Sequence, residues 1–408
     1  MIIVIGAGVV GLSVAWRLAE DGAQVTLLDP QPGLGATHAA AGMLAPISEY
    51  WFQEEPLLDL ARHAAHAYPQ VCERLHALTG NDLHYRREGT IVAAGTRADR
   101  ETLARLQQAQ VRHGLSVTSL STREARNLDP ALAPRLAGAF LNAADHALDP
   151  RALTQAYRQV LKTHPHVTVR RSHAVALLSH GDRVTGVQDA SGTEYAGDAV
   201  VLANGLAAPE LEGLPDHWDP RMRPVYGETI RLQAPPISAR SSALFGPRHL
   251  VRALVEDRSV YVVPRGDGRY VLGATEREDH QAASPAGSVY RLLRDAHRVL
   301  PDILEMQITE IVARARPATP DHLPLLGTIS PGLIAASGTY RHGVLLATAI
   351  AETVSKLVQH KPTPVPIEAF DPWRSVNRNA TPTYDPHAAL GKDNVHGETQ
   401  RRVVIDHS

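Results

Sequence analysis

With 408 residues, 44% of them hydrophobic, and a net formal charge of −2, the chain can bury two separate cores. Near-neutral charge gives no pull toward nucleic acid or an anionic membrane, and no apolar run reaches the roughly 18 residues of a membrane span. A single cysteine, Cys72, excludes an internal disulfide and fits a reducing compartment, so a cytoplasmic protein is expected.

The first stretch is the most informative. Ile2 to Ile5 is a β-branched run with the composition of a buried strand. Gly6-Ala7-Gly8-Val9-Val10-Gly11 follows and opens a helical pattern through Leu12, Ala15, Trp16, Leu18 and Ala19. Gly22 ends that helix, and Gln24 to Leu28 reads as a second buried strand closed by Asp29. In such a unit Gly6 permits the tight turn, Gly8 lets backbone approach a pyrophosphate, and Gly11 lets helix pack on strand. The pyrophosphate rests on the helix N-terminus, and Asp29 is placed to accept hydrogen bonds from an adenosine ribose. Its charge would repel a 2′-phosphate, which disfavours NADP. The unit alone does not choose between NAD and FAD. Because Gly6, Gly8 and Gly11 interrupt the apolar start and no basic segment precedes it, it is not read as a secretory signal.

The segment from Gly33 to Leu44 is rich in glycine and alanine, which lets backbone pass close to a ligand, and Thr37 can donate to a phosphate oxygen. An amphipathic helix spans Leu57 to Leu78, closed by Gly80, with Pro69 expected to kink or split it and Cys72 in a packing or surface role. A strand (Thr90 to Ala94), a helix (Ala98 to His113), a strand (Gly138 to Asn142) and a helix (Arg151 to Lys162, with Asp149 as N-cap) come next. Short strands at 167–169, 174–178, 184–188 and 199–203 lead to Asn204-Gly205, where the chain is expected to pass close to something flat. Residues 221–275 are strand-rich, with a hairpin around Gly266-Asp267-Gly268 whose Pro264 implies an edge or a bulge. Ser288 to Val299 is a helix. Arg314 to Pro324 is too proline-rich for regular structure on this reading. A strand (Leu333 to Ser337), the turn Gly338 to Gly343 and an apolar helix (Val344 to Val358) repeat the strand–glycine–helix arrangement of the N-terminus.

Four patches together resemble the D-amino-acid oxidase superfamily of FAD enzymes, most closely its glycine oxidase branch of thiamine biosynthesis. They are IGAGVVGLSVAWRLAEDGAQVTLLD, THAAAGML, YVVPRGDGRYVLGAT, and ARPATPDHLPLLG with GTYRHGVLLA. The resemblance covers about residues 1–365 and implies non-covalent FAD rather than NAD. It implies an α/β fold: a Rossmann-like FAD-binding domain (1–80, 145–218 and 308–369) interleaved with an antiparallel-sheet α+β substrate domain (81–144 and 219–307). Residues 370–408 are left as a polar tail. By the resemblance, Gly6, Gly8, Gly11 and Asp29 hold the ADP half of FAD, and backbone of Val9, Val10, Pro30, Thr37, His38, Ala41, Gly42 and Met43 lines the phosphates, ribose and flavin edge. Val175 meets the adenine. Thr339, Tyr340, Arg341, His342, Gly343, Val344 and Leu345 cup the pyrimidine side of the flavin, where N–H groups at a helix start stabilise negative charge.

For the substrate, the resemblance implies that Arg316 pairs with the carboxylate, that Tyr261 hydrogen-bonds it, and that Arg341 and Met43 complete the mouth of the site. Arg314 and Glu276 depart from the family pattern, so the preferred amine (glycine, sarcosine, D-alanine or D-proline) stays open. The implied reaction is oxidation of the amine to an imine, hydrolysed to an oxo acid and ammonia, with dioxygen reduced to hydrogen peroxide. In a thiamine pathway the imine would feed the thiazole ring. Alternatives are a D-amino-acid dehydrogenase using a quinone or carrier, a tRNA-modifying FAD oxidase, and a flavoprotein that only binds FAD and a partner. Self-association and contacts with thiazole-synthesis enzymes stay open. No metal site is expected, since the pairs His63/His66 and His164/His166 lack a visible third ligand. A thiol-linked flavin is not expected, because Cys72 lies far along the chain from the flavin patches.

Overall fold

A computed structural model describes residues 1–52, 54–235 and 245–374. Its first sheet has six strands in the order Leu325–Ser330, Leu333–Ser337, Ala199–Leu202, Ile2–Ile5, Val25–Leu28, Val167–Arg170. All neighbours are parallel except the edge pair Leu325–Ser330 with Leu333–Ser337. These strands are apolar without a break because both faces are covered. Ile2, Val4, Val25 and Leu27 pack with the helices Val9–Glu20, Pro150–Thr163 and Gly343–Val358. Ile3, Ile5, Val200 and Leu202 face the other way, onto Val184 and Val187 of the three-stranded meander Ala174–His180, Arg183–Asp189, Glu194–Ala196.

The second sheet has eight strands in the order Gln307–Ala318, Arg223–Gln233, Arg269–Gly273, Arg258–Pro264, Leu250–Val255, Thr90–Ala94, Gly138–Asn142, Thr118–Leu120. Only Leu250–Val255 with Thr90–Ala94 is parallel. The helix Ala286–Val299 covers one face through Leu292, Ala296 and Val299. The helix Arg97–Arg112, started by a Thr96–Asp99 capping box, covers the other through Leu103 and Leu106.

Several expectations change in three dimensions. Residues 314–318 are strand, not irregular: Pro317 lies on the edge strand Gln307–Ala318, opposite Pro224. An edge strand leaves one side of its backbone without a ladder, so a missing N–H costs nothing there. This strand also places 308–318 in the second sheet, so the chain returns to the first sheet only after Ala318. Pro264 is at neither an edge nor a bulge. It is the last residue of an interior strand, past the end of that strand's ladder to Leu250–Val255. Pro69 does not split its helix, which runs unbroken over Leu57–Thr79. Buried Tyr68, Cys72 and Leu75 on either side hold that stretch in the core, and tertiary packing outweighs the proline's penalty of about 3 kcal/mol. Asp149 caps its helix as expected, accepting from Arg151 N–H. The start of the tail is docked: Phe370 is buried, and Arg374 pairs with Asp321. Residues 375–408, the rest of that tail, lie outside the described residues.

Candidate active site

The turn after Ile2–Ile5 is built by its glycines. Gly6 has φ +98° and lies where a Cβ would come within 2.5 Å of the Ala203 carbonyl; a Cβ at Gly11 would overlap the carbonyl of Gly6. Gly8 is different. Its φ of −70° is open to any residue, and a Cβ there would meet only Thr37 Oγ1, at 3.5 Å. It therefore keeps a space clear rather than relieving the backbone. The helix Val9–Glu20 has no side-chain cap at Gly8, and Val9 N–H donates to Thr37 Oγ1 at 3.1 Å. The helix Gly343–Val358 likewise starts without a side-chain cap. Two helix N-termini with positive partial charge thus open on one cavity of about 1090 Å³ between the sheets.

The cavity is lined by Gly6, Gly8, Val9, Val10, Asp29, Pro30, Thr37, Ala41, Gly42, Met43, Thr339 to Leu345, Tyr261 and Arg316. Three expected residues stand outside the lining. Gly11 is behind it, packed on the turn. His38 faces away, its carbonyl held by Arg151 Nε at 3.0 Å and Arg231 Nη2 at 3.2 Å. Val175 spends its carbonyl on Glu212 N–H at 3.0 Å, and Ser172, His173 and Ala174 reach the cavity in its place. Asp29 is at the rim with its oxygens taking the N–H groups of Ala7 and Gln31, each at 2.6 Å.

At the other end, Arg316 extends from the edge strand over Gly227, where any Cβ would overlap its guanidinium. It donates from Nη1 to the Thr275 carbonyl at 3.1 Å and forms no ion pair among the described residues. Tyr261, half-buried, lies across Gly273 in the same way, and burial raises its pKa against the pull of Arg316 and Arg252. Arg341 differs from Arg316. It is bound to Glu54 Oε2 at 2.5 Å and lies 3.5 Å from Glu49 Oε2. Burial works to raise the Glu54 pKa, but Arg341 and His342 override it and hold it at about 2. Glu49 also pairs with Arg252. The ring of His322 packs on Tyr340 with centroids 4.4 Å apart; burial, Arg341 and Arg223 hold that imidazole down at about 4. Glu276 lines the cavity and accepts from Tyr340 Oη at 3.0 Å. Arg314 is exposed and donates to the Leu34 carbonyl at 3.1 Å.

Glu49, Glu54 and Arg252 were missed from sequence. Arg252 had a legible signal, a charge inside the apolar strand LVRALV. The two glutamates had none, because the stretch around them has no periodicity. Cys72 is buried in the helical core, its thiol pushed up to about 12. No helix among the described residues is long and apolar enough to cross a membrane.

The model of the FAD dependent oxidoreductase (DAO) family matches residues 1–357. The chain belongs to that family. Proteins similar to it include the bifunctional protein ThiO/ThiG of Synechocystis sp., 32% identical over 391 residues, or 93% of this chain and 55% of that one. This chain thus spans about half of that relative. A Rhizobium etli protein named for an oxidoreductase role in thiamine biosynthesis is 34% identical over 360 residues, 87% of this chain and 95% of that one. The crystal structure of glycine oxidase from Geobacillus kaustophilus superposes with a TM-score of 0.82 at 29% identity, covering 91% of this chain and 98% of that one.

FAD is the family's cofactor, and the residues present fit it. The clear space beside Gly8 and two uncapped helix N-termini suit a pyrophosphate and an electron-accepting ring.

Proposed function

We propose that the chain oxidises a small amino acid or secondary amine, glycine or a small D-amino acid, through its Cα–N bond. The net reaction takes a primary amine, water and dioxygen to an oxo acid, ammonia and hydrogen peroxide; from a secondary amine the nitrogen leaves as an amine or stays on the product instead of leaving as ammonia. The observation that carries this reading is Arg316: a guanidinium with no ion-pair partner among the described residues, facing the cavity beside the Tyr261 hydroxyl. Such a fork suits a carboxylate bidentately. Arg316 and Tyr261 fix the carboxylate, which sets the Cα–H direction; positioning is the main contribution asked of the protein. Bound FAD supplies the two-electron acceptor.

In this reading the glycine turn, Asp29 at the rim and the 339–345 turn hold FAD without a covalent link, from the six-stranded side. Residues of the eight-stranded sheet hold the substrate. The Rhizobium etli relative named for thiamine biosynthesis supports a place in that pathway. The test is anaerobic titration of the yellow protein with glycine, sarcosine, D-alanine and D-proline, followed by admission of air. Loss of flavin colour with one of them, then stoichiometric peroxide, is expected. Colour loss without peroxide would make the chain a dehydrogenase, and no colour loss would remove the reading.

A further inference from the structure

The substrate end carries a carboxylate that the oxidation as written leaves idle, Glu276. The charges around it are otherwise matched: Arg341 has Glu54, and Arg252 has Glu49. Arg316 and Glu276 form no ion pair with any described residue, yet both face the cavity. An unmatched cation and an unmatched anion at the same end of the cavity are complementary to a small zwitterion.

The placement of Glu276 is built. On one side Thr275 Oγ1 accepts from Glu228 N–H at 2.9 Å and donates to the Glu228 carboxylate. On the other, Arg277 Nη2 lies 2.6 Å from Glu228 Oε1, and its backbone exchanges hydrogen bonds of 2.8 and 2.9 Å with Tyr226. Between two anchored neighbours, Glu276 is held against the cavity. Tyr340 Oη occupies its Oε1, while its Oε2 has no hydrogen-bond partner among the described residues. Arg316 is bonded to the carbonyl of Thr275, the residue just before it, so the two charges share one stretch of wall.

We infer that Glu276 docks the substrate's α-ammonium while Arg316 holds its carboxylate, and that Glu276 accepts the ammonium proton to give the neutral amine. This rests on the amine-oxidising reading above. In the step an N–H bond breaks, an O–H bond forms on Oε2, and the electron pair stays on nitrogen, where loss of the Cα hydride needs it. No oxidant takes part. An amino acid in neutral water is almost wholly zwitterionic, so a site without an acceptor must wait for the scarce neutral-amine form.

The other groups facing Glu276 do not compete for this proton. They are Tyr340 and Arg341 from the turn before the last helix, Arg316 from the edge strand, Tyr261 and Arg252 from the neighbouring strands, and His322. Three are guanidinium ions, and burial raises both tyrosines. The imidazole of His322 is turned toward Arg223, with 3.0 Å between Nε2 and Nη2.

The experiment is kcat/KM for the substrate found by the titration, from neutral pH into the alkaline range, for the wild-type holoenzyme, Glu276→Gln and Glu276→Asp. Flavin spectra and melting temperatures serve as fold controls. Wild type takes up the zwitterion with no net proton release, so its profile is nearly flat. Glu276→Gln should fall at least about tenfold at neutral pH and then climb about tenfold per pH unit toward wild type, as solvent removes the proton instead. Glu276→Asp should restore the flat shape. A Glu276→Gln profile parallel to wild type, or a loss equal at every pH, overturns the inference while leaving the oxidase reading intact. A wild-type flavin that no amine bleaches removes both.

Discussion

Arg316 and Arg341 look alike in the sequence, each an arginine in a proline- or glycine-rich segment next to the expected flavin site. The fold gives them opposite tasks. Among the described residues Arg316 lies over Gly227 and is hydrogen-bonded only to a carbonyl, whereas Arg341 is matched by Glu54 at 2.5 Å and Glu49 at 3.5 Å. A charge kept unmatched at a cavity wall is available to a ligand; one already matched is part of the wall. What separates them is the stretch 49–54, which brings its acids to Arg341 and none to Arg316.

The sharpest way to break this contrast is to remove each guanidinium in turn. Arg316→Leu is expected to raise KM about 100-fold through loss of a charge-assisted fork, with FAD retained and the melting temperature near wild type. Arg341→Met should instead cost stability, by about 3–5 kcal/mol, because Glu54 is left buried without its guanidinium, with only His342 beside it. Steady-state kinetics beside thermal melts checks both. Equal KM effects with equal melting temperatures would erase the distinction.

A smaller effect comes from pH. Glu54 is held at about 2 against an ordinary 4.5, so its contribution to stability is complete above about 4.5 and drains away as pH falls toward 2. His322 is held at about 4 against 6.5; the unfolded chain takes up that proton first, so stability also falls between about 6.5 and 4. The melting temperature should therefore decline in two stages on the acid side. Arg341→Met, which frees Glu54 from that cation, should abolish most of the lower stage and narrow the upper one, because burial and Arg223 still hold His322 down but Arg341 no longer does.

Ligand and fold divide in the same way at the first turn, with the smallest expected changes. Gly11→Ala forces a Cβ onto the Gly6 carbonyl and should lower stability by about 1–3 kcal/mol. Gly8→Ala meets nothing closer than 3.5 Å and should leave the melting temperature of the apoprotein within about 0.5 kcal/mol equivalent. It should weaken FAD retention several-fold, measured by flavin release on dilution.

Local rules fail where context decides. What proline forbids locally does not decide the places of Pro264, Pro317 and Pro69: the first two sit where no ladder bond is missed and the third in a helix held by its core contacts. The burial of Phe370 could not be anticipated from the polar stretch it opens.

The sequence by itself determined the parallel sheet, the two strand–turn–helix units and the glycines between them, because these depend on residues close along the chain: buried β-branched runs, a helical period, turns that exclude a Cβ. Only the tertiary structure decided which charges are matched. The partners of Arg341, Arg252 and Glu276 lie on distant segments, and a carboxylate's role depends on what the fold sets within a few ångströms of it.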